Sequence, residues 1–361
     1  MNTPTSNTLT SNTLTSSEGP VAPQMDAVVM EAGGPPAQSL AHRSVSVPEP
    51  GLGEVLVEVH AAAVNPLDIA NAAGLLGSPL PMIPGGDFAG VVVSDGAHQG
   101  EEVWGSGPAL GMAVGEKRPG THARFVVLPE TWLSRKPECL TMTEAAAVGR
   151  SHFTAWQALI NSLELQPGET VLITGGSGLV GQAATAIARW RGAEPIVVGR
   201  RRPAGVEHFI DISSTGAGST DLNPTDINPT DIREAVLDLT DGRGADTALD
   251  TVGGALSEPA IRSLRSGGRM VMIAAGAPDR QASVPVSEII SRQLHLTGLA
   301  TVFLDGADVA HIFDQLRPLF ERGFLVPPAA KTWPLDDAVQ AYQAVLDGSA
   351  GIKQVLLPAV G

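Results

Sequence analysis

The chain has 361 residues, which is enough for about two domains and a large core. Its 43% hydrophobic and 17% charged residues are typical of a soluble globular protein, and its net charge of −15 disfavours nucleic acids and anionic membranes as partners. It contains no run of about 18 apolar residues and no basic-then-apolar leader, so we expect neither a membrane span nor a secretory signal.

Residues 1–24 form a tract rich in Thr, Ser and Asn that contains the repeat TSNTL. Such a segment buries too little apolar surface to offset the entropy lost on ordering. We therefore expect a disordered N-terminal tail, with the folded chain starting near Met25.

Residues 25–149 contain short strand-like runs punctuated by glycine and proline. In the clearest run, EVLVEV at residues 54–59, valine recurs at every second position, as in a strand with one face buried. The pattern predicts a compact, mostly β domain, followed by a helix over residues 143–160, with strands at residues 27–29, 54–59, 90–93 and 123–128.

The most informative stretch is residues 171–200. Apolar runs at 171–173 and 195–198 predict strands, and the small-residue run at 183–190 predicts a helix between them. The turn into this helix is rich in glycine: Gly175, Gly176, Gly178 and Gly181. This βαβ unit is typical of dinucleotide binding, with the pyrophosphate on the amides at the helix N-terminus. A purely structural glycine turn is the alternative.

Three arginines, Arg200 to Arg202, follow the second strand, where such a unit contacts the adenosine ribose. An acidic residue there favours a free 2′-hydroxyl, whereas arginine suits a 2′-phosphate. The predicted cofactor is therefore NADPH, with Arg200 and Arg201 in contact with it. A solvated basic loop is the alternative.

The alternation of strands and helices continues toward the C-terminus, with strands predicted at residues 245–250, 270–274 and 294–300. This order predicts an α/β fold with a doubly wound parallel sheet and a ligand at the carboxyl ends of its strands. Residues 215–232 contain a tandem NPTDI and are predicted to form a surface loop. Residues 309–361 are predicted to hold two amphipathic helices and a final strand at 354–357.

Several segments occur together that resemble the medium-chain dehydrogenase/reductase superfamily, and more narrowly its zinc-independent quinone oxidoreductase and enoyl reductase branch. The resemblance covers the chain from about residue 25 to the end. It is carried by AAAVNPLDIANAAG (61–74), PMIPGGDFAGVVV (81–93), GEEVWG (100–105), HARFVVLP (122–129), AAAVGRSHFTAWQAL (145–159), LDTVGG (249–254) and GIKQVLL (351–357).

The resemblance implies two domains with the active-site cleft between them. A GroES-like catalytic domain would comprise residues 25–149 and 303–361, and a Rossmann dinucleotide-binding domain residues 150–302. It also implies a homodimer, joined through the edge strand that matches residues 296–301.

Zinc is not expected, because the positions that match the ligands of zinc-dependent relatives hold Asn65, Gly86-Asp87 and Arg150. None of these offers the thiolates or imidazoles that hold catalytic zinc. The single cysteine, Cys139, excludes an intramolecular disulfide and a four-cysteine zinc lobe. We expect Cys139 to be a small buried hydrophobe in a cytoplasmic protein.

The predicted cofactor-binding residues come from the glycine turn, the arginines and the resemblance. Those near the nicotinamide and its ribose are implied by the resemblance alone. Lys353 could instead be a solvated surface lysine. The set is Gly175, Gly178, Leu179, Val180, Gly181, Arg200, Arg201, Thr154, Val252, Ala274, Ala275 and Lys353.

The predicted catalytic residues are Arg150, His152, Asn65 and Asp68. Related enoyl reductases carry a tyrosine after the NP-x-D segment, but the only tyrosine here is Tyr342. One hypothesis is that Arg150 stabilises a developing oxyanion while His152 donates the proton. The alternatives are a structural ion pair from Arg150 to Asp87 or Asp68, a hydrogen-bonded His152, and an Asn65 that only caps a turn.

These features predict an NADPH-dependent, zinc-independent reductase that transfers hydride to a quinone or an activated C=C bond of a small molecule. Simple ketones fit less well, since their alkoxides require a Lewis acid or a positioned donor. The alternatives are a pathway-specific enoyl reductase or redox-neutral cyclase of secondary metabolism, and a protein that binds NADPH without turnover. NADPH oxidation by a simple acceptor separates the last alternative from the others, and acceptor range separates the first two.

Overall fold

A computed structural model describes residues 23–107, 118–213, 229–274, 281–348 and 351–359. Residues 1–22 of the expected tail and 215–228 of the expected insertion lie outside these ranges. Residues 229–232 of the predicted loop instead form the start of a helix, Pro229–Leu239.

The N-terminal part is β-rich, as its alternating pattern predicts. Its strands are β1 (Gln24–Met30), β2 (Leu40–Ser46), β3 (Glu54–Val64), β4 (Asp87–Val92), β5 (Glu102–Ser106), β6 (Phe125–Pro129) and β7 (Ser134–Arg135). Its helices are α1 (Pro36–Ser39), α2 (Pro66–Ala72) and α3 (Met142–Trp156), and α3 continues as a π-helix, Gln157–Ser162. A capping box starts α3, because Thr141 Oγ1 accepts from Glu144 N at 3.2 Å and Glu144 Oε2 accepts from Thr141 N at 2.8 Å.

The middle part alternates strands and helices. Its elements are β8 (Thr170–Thr174), α4 (Leu179–Arg191), β9 (Glu194–Gly199), β10 (His208–Asp211), α5 (Pro229–Leu239), β11 (Ala245–Asp250), α6 (Ser257–Ser263), β12 (Leu264–Met272), α7 (Val286–Arg292) and β13 (His295–Gly298). The six strands form one parallel sheet in the order β10-β9-β8-β11-β12-β13. The strand order reverses between β8 and β11, where doubly wound sheets bind ligands.

The C-terminal part returns to the first sheet. It comprises α8 (Gly306–Glu321), β14 (Ala330–Pro334), α9 (Ala338–Leu346) and β15 (Lys353–Leu357). Here β15 pairs antiparallel with β3, which completes a sheet of order β14-β15-β3-β4-β5-β7, with β6 also paired to β3. The final strand is confirmed, whereas β14 was not predicted from the sequence.

A common core joins the two sheets. One buried apolar cluster contains residues of β3, α3, β8, α4 and α8. Within it, Trp104 of β5 meets Phe313 and Phe320 of α8 edge-on, with ring centroids 5.0 and 5.8 Å apart. Because α3 packs against β3 and β4 of the first sheet and against α4 beside the parallel sheet, side chains near its middle lie between the β-rich part and the parallel-sheet part.

Candidate active site

A cleft of about 1010 Å³ opens at the carboxyl ends of the parallel strands. Segments that follow β8, β9, β11, β12 and β13 line one side, and residues of α2, α3 and β15 line the other. The predicted site residues on its wall are Asn65, Arg150, Thr154, Gly178, Leu179, Val180, Arg200, Arg201, Ala274 and Lys353.

The glycine turn between β8 and α4 is packed too tightly for side chains. Gly175 has φ +68°, and a Cβ there would lie 2.4 Å from Thr251 Oγ1. A Cβ on Gly181 would lie 2.5 Å from the Gly175 carbonyl oxygen, so α4 could not approach the turn. No side chain caps α4 at its N-cap, Gly178, which lines the cleft. The helix N-terminus therefore faces the cleft with amides available to an anionic group.

Two arginines follow β9 at the same end of the sheet. Arg200 and Arg201 are exposed and line the cleft. Arg202 lies elsewhere, with its guanidinium carbon 5.7 Å from the Phe209 ring centroid. The cleft therefore has a basic end beside the glycine turn.

A buried polar cluster around the Asp87 carboxylate lies at the wall of the cleft that α2, α3 and β15 form. Its oxygens accept hydrogen bonds from the backbone N of Arg150 at 2.9 and 3.0 Å and from Asn65 Nδ2 at 2.9 Å. Lys353 Nζ donates to Asp87 Oδ2 at 3.2 Å and to Asn65 Oδ1 at 2.5 Å. Lys353 is only 1% exposed, so the alternative of a solvated surface lysine is wrong.

The helix α3 is broken at Gly149 so that this cluster can form. Gly149 has φ +20° and ψ −135°, and a Cβ there would lie 2.1 Å from Asp87 Oδ2. The carboxylate occupies the break and accepts from the first amide of the next turn, that of Arg150. Gly86 plays a related role, because a Cβ there would lie 3.0 Å from Arg150 Nη2. The helix predicted over 143–160 is therefore present, but its backbone is broken at Gly149.

The charges in this cluster compensate one another. Burial alone would raise the pKa of Asp87, but the positive charges of Lys353 and Arg150 and the hydrogen bonds to its oxygens outweigh it. The pKa of Asp87 therefore lies below its usual value, and the carboxylate is ionised at neutral pH.

The Arg150 guanidinium lies on the cleft wall, mostly buried at 8% exposure. Its Nη1 points to Thr301 Oγ1 and its Nη2 to the Gly107 carbonyl oxygen, each at 3.4 Å. Its guanidinium carbon lies 5.5 Å from the Phe153 ring centroid. Arg150 therefore interacts with Asp87 through its backbone amide, while its side chain reaches the cleft.

His152 lies behind the cleft wall rather than on it. Its Nδ1 lies 3.0 Å from the Val148 carbonyl oxygen, and the ring is tilted against Phe320 with centroids 5.5 Å apart. Burial lowers the pKa of His152 to about 4. A neutral, buried imidazole is a poor proton donor, so this placement favours the hydrogen-bonded alternative for His152.

Asp68 is also removed from the cleft. It is 1% exposed, and its Oδ2 accepts from the backbone N of Asn65 at 2.8 Å, which fixes the start of α2. Burial raises the pKa of Asp68 above its usual value. Asn65 occupies the N-cap position of α2. Its side chain also bonds to Asp87 and Lys353, so it does more than cap a turn.

The remaining predicted residues fall near the cleft or outside the described ranges. Val252 adjoins the glycine turn, since a Cβ on Gly175 would lie 2.7 Å from Val252 Cγ2. Ala275 lies outside the residues that the structure describes. Cys139 is exposed, so the expectation of a buried cysteine is wrong.

One buried pair near the site was not predicted from the sequence. Tyr342 Oη lies 2.8 Å from His122 Nδ1, and both side chains are fully buried. Burial raises the pKa of the Tyr342 hydroxyl well above its usual value and lowers the pKa of His122. A Cβ on Gly85 would lie 2.3 Å from the His122 ring. The glycine pair before Asp87 was therefore the sequence feature that could have indicated a bulky side chain packed against this segment.

Across the described ranges, no group of three His, Cys, Asp or Glu side chains is placed to hold a metal ion. No helix in those same ranges is long and apolar enough to cross a membrane.

Comparisons with known proteins identify the family. The family described as "Alcohol dehydrogenase GroES-like domain" matches residues 51–138, and the family described as "Zinc-binding dehydrogenase" matches residues 180–316. A zinc-type alcohol dehydrogenase-like protein of Schizosaccharomyces pombe is 32% identical, covering 84% of this chain and 88% of its own.

Two further relatives and a solved structure are similar to this chain over most of its length. The mitochondrial enoyl-[acyl-carrier-protein] reductase of Xenopus tropicalis is 30% identical over 91% of this chain and 94% of its own. The quinone oxidoreductase of Mus musculus is 28% identical, covering 91% and 96%. The crystal structure of AibC is 27% identical, with a TM-score of 0.80 and coverage of 93% of this chain and 96% of that one.

The chain therefore belongs to the medium-chain dehydrogenase/reductase superfamily, in its quinone oxidoreductase-like branch. Both parts of the predicted fold class, the GroES-like domain and the Rossmann-type parallel sheet, are confirmed. As a member of this family the chain is an oxidoreductase that uses a nicotinamide cofactor and a small-molecule substrate.

Proposed function

We propose that this protein is an NADPH-dependent, zinc-independent reductase of quinones or of C=C bonds activated by a carbonyl group. One observation carries the proposal: a single cleft joins an open helix N-terminus, two arginines and a buried cationic cluster. The first two features suit a phosphorylated dinucleotide, and the third suits an acceptor that becomes negatively charged.

The glycine turn and the arginines fit NADPH. Gly178, Leu179 and Val180 present the amides of α4 to the cleft, where a pyrophosphate would accept from them. Arg200 and Arg201 stand where a 2′-phosphate would follow. When bound, NADPH supplies a hydride from its nicotinamide ring.

The acceptor end combines apolar walls with fixed positive charge. Leu67, Ala70 and Leu299 offer apolar surface for a ring or an alkyl chain. The Arg150 guanidinium provides preorganised positive charge for a developing enolate or quinol oxyanion. A quinol oxyanion is far less basic than a simple alkoxide, and the oxygen of an enolate is also a weaker base than an alkoxide oxygen. This charge therefore suits quinones and enones better than simple ketones.

The residues at the positions that match the zinc ligands of zinc-dependent relatives do not fit zinc. A guanidinium cannot ligate a metal ion, and the Asp87 oxygens already accept from Arg150, Asn65 and Lys353. We therefore propose that Arg150 and Lys353 supply the positive charge that a metal ion supplies in zinc-dependent relatives.

We also propose a division into two domains and a homodimer. The catalytic domain would comprise residues 25–149 and 303–361 and the dinucleotide domain 150–302, because β15 returns to the β3 sheet. A homodimer would form through β13, since β13 is an edge strand of the parallel sheet and Ile290 and Phe303 are exposed nearby.

The test is the initial rate of reduced-nicotinamide oxidation with NADPH and NADH, against several quinones, several enones and one enoyl thioester. We expect NADPH to be preferred, and the double variant Arg200→Ser/Arg201→Ser to lose that preference. Arg202→Ser is the matched control, because Arg202 lies on Phe209 and outside the cleft lining.

Equal rates with NADPH and NADH in the unaltered protein would contradict the arginine assignment. Tight NADPH binding without turnover of any acceptor would favour a narrow pathway substrate, redox-neutral chemistry or a non-catalytic role. A broad quinone range would favour a general quinone reductase over a pathway-specific enoyl reductase.

A further inference from the structure

Lys353 is held in an unusual position for a lysine. It is the first residue of β15, is 1% exposed and lines the cleft. Its Nζ donates to Asn65 Oδ1 at 2.5 Å and to Asp87 Oδ2 at 3.2 Å. An ammonium group has three N–H donors. Within the described part of the chain these are its two hydrogen-bond acceptors, so one N–H is left for a molecule in the cleft.

The position of Lys353 is fixed by three neighbouring strands. β15 pairs with β3 in a register that places Gln354 opposite Val64, so Lys353 comes opposite Asn65 at the next step. β3 in turn pairs with β4, which begins at Asp87. The lysine and both of its acceptors therefore lie at one edge of a continuous sheet. Such a frame holds the ammonium in one place, as a group that acts on a substrate requires.

Lys353 also differs chemically from the other charged residues on the cleft wall. Among the described lining residues, those with ionisable side chains are Arg150, Arg200, Arg201 and Lys353. A guanidinium stays protonated in proteins, whereas an ammonium can release a proton and regain it. Ser151 and Thr154 also line the cleft, but an alcohol is a weak acid near neutral pH.

The other proton carriers near the site are enclosed. His152 and Asp68 do not line the cleft, and His152 Nδ1 and Asp68 Oδ2 each bond to a backbone group of the protein. The Tyr342 hydroxyl is fully buried against His122. Among the ionisable side chains that the structure describes near the site, Lys353 is therefore the one that both lines the cleft and can exchange a proton.

We propose that Lys353 is the catalytic acid of this reductase, and that Asp87 and Asn65 are the positioning residues that hold it. The proposal rests on the reductase function proposed above. After the acceptor has received a hydride, the Lys353 N–H bond breaks and an O–H bond forms at a quinol oxygen, or a C–H bond at the α-carbon of an enolate. The lysine is left as a neutral amine and regains its proton from water. One hydride and one proton are thereby added to the acceptor.

The decisive variants separate charge from proton transfer. Lys353→Arg keeps the positive charge but cannot deliver a proton, whereas Lys353→Met removes both. Lys331→Met, at an exposed lysine beside Trp333, is the matched control for lysine removal. Circular dichroism and urea unfolding establish that each variant is folded.

The first readout is turnover with enones and quinones. A general acid contributes about 100-fold or more, so we expect both Lys353 variants to reduce enones about 100-fold more slowly. Quinones should lose much less, because solvent can protonate a quinol oxyanion. With a 2-methyl-2-enone in D₂O, the unaltered protein should deuterate the α-carbon on one face and the variants on both. Equal losses for both acceptor classes with unchanged stereochemistry, or a fully active Lys353→Arg, would overturn the proposal.

The second readout does not need turnover. The probe is 4-nitrophenol, whose phenolate absorbance reports its ionisation in the presence of NADP⁺. We expect the unaltered protein and Lys353→Arg to bind the phenolate form preferentially, and Lys353→Met to bind it at least tenfold more weakly. If no acceptor is reduced but this pattern is found, the reductase function fails while the placement of Lys353 at the acceptor stands. Equal phenolate binding by Lys353→Met and the unaltered protein would overturn that placement.

Discussion

The Asp87 carboxylate should be the most sensitive single position in the buried cluster. Asp87→Asn keeps the shape of the side chain but leaves the Lys353 ammonium buried without its carboxylate. At the observed 3.2 Å and an effective dielectric constant of about 20, the lost attraction is about 5 kcal/mol. Removing one partner of a buried pair typically costs about 3–5 kcal/mol, so we expect the free energy of unfolding to fall by that amount.

The assay is urea unfolding followed by circular dichroism, with Asp238→Asn on the exposed face of α5 as the matched control. The control should change stability by less than about 0.5 kcal/mol. The double variant Asp87→Asn/Lys353→Met should cost less than the sum of the single costs by about 2 kcal/mol, because it removes both charges. A cost below about 1 kcal/mol for Asp87→Asn, or additive single costs, would refute the compensation of these charges.

Three other predictions follow from the packing. Gly181→Ala should weaken NADPH binding tenfold or more, about 1.4 kcal/mol by fluorescence titration, because its Cβ would lie 2.5 Å from a carbonyl oxygen of the turn. Gly298→Ala is its control, since a Cβ there would meet nothing within 4 Å. The pKa of His152 is lowered from 6.5 to about 4, so stability is full above pH 6.5 and falls toward pH 4, by about 2 kcal/mol at pH 5. Urea unfolding of His152→Gln at pH 7 and 5 should lack this loss, and an equal loss in the variant would contradict it. Tyr342→Phe should cost about 1–3 kcal/mol of stability by leaving His122 Nδ1 unpaired, with KM for NADPH unchanged.

The fold was accessible from the sequence because local patterns specify it. Alternation in EVLVEV predicts a half-buried strand, and the buried run before Gly175 predicts the central strand of the parallel sheet. The return of β15 to β3 depends on pairing between segments about 290 residues apart. Local patterns do not encode such pairing, and the family resemblance gave only the assignment of residues 303–361 to the catalytic domain.

The candidate site could be predicted only in part from the sequence. The glycine turn and its arginines have a sequence signature, and both line the cleft as expected. The break at Gly149 has none, because a lone glycine in a helical pattern is usually tolerated. His152 was a candidate proton donor because imidazole titrates near neutral pH, but burial removes that property. Burial depends on the tertiary packing of α3, which a single sequence does not specify.

The most direct test of the central claim is to follow the hydride itself. NADPH carrying deuterium at both C4 positions of the nicotinamide would be incubated with the protein and an enone that is turned over, and the product examined by mass spectrometry and NMR. The account predicts one deuterium at the β-carbon of the product, which solvent does not exchange. A product without deuterium, or cofactor that is never consumed, would contradict hydride transfer as the function of this cleft.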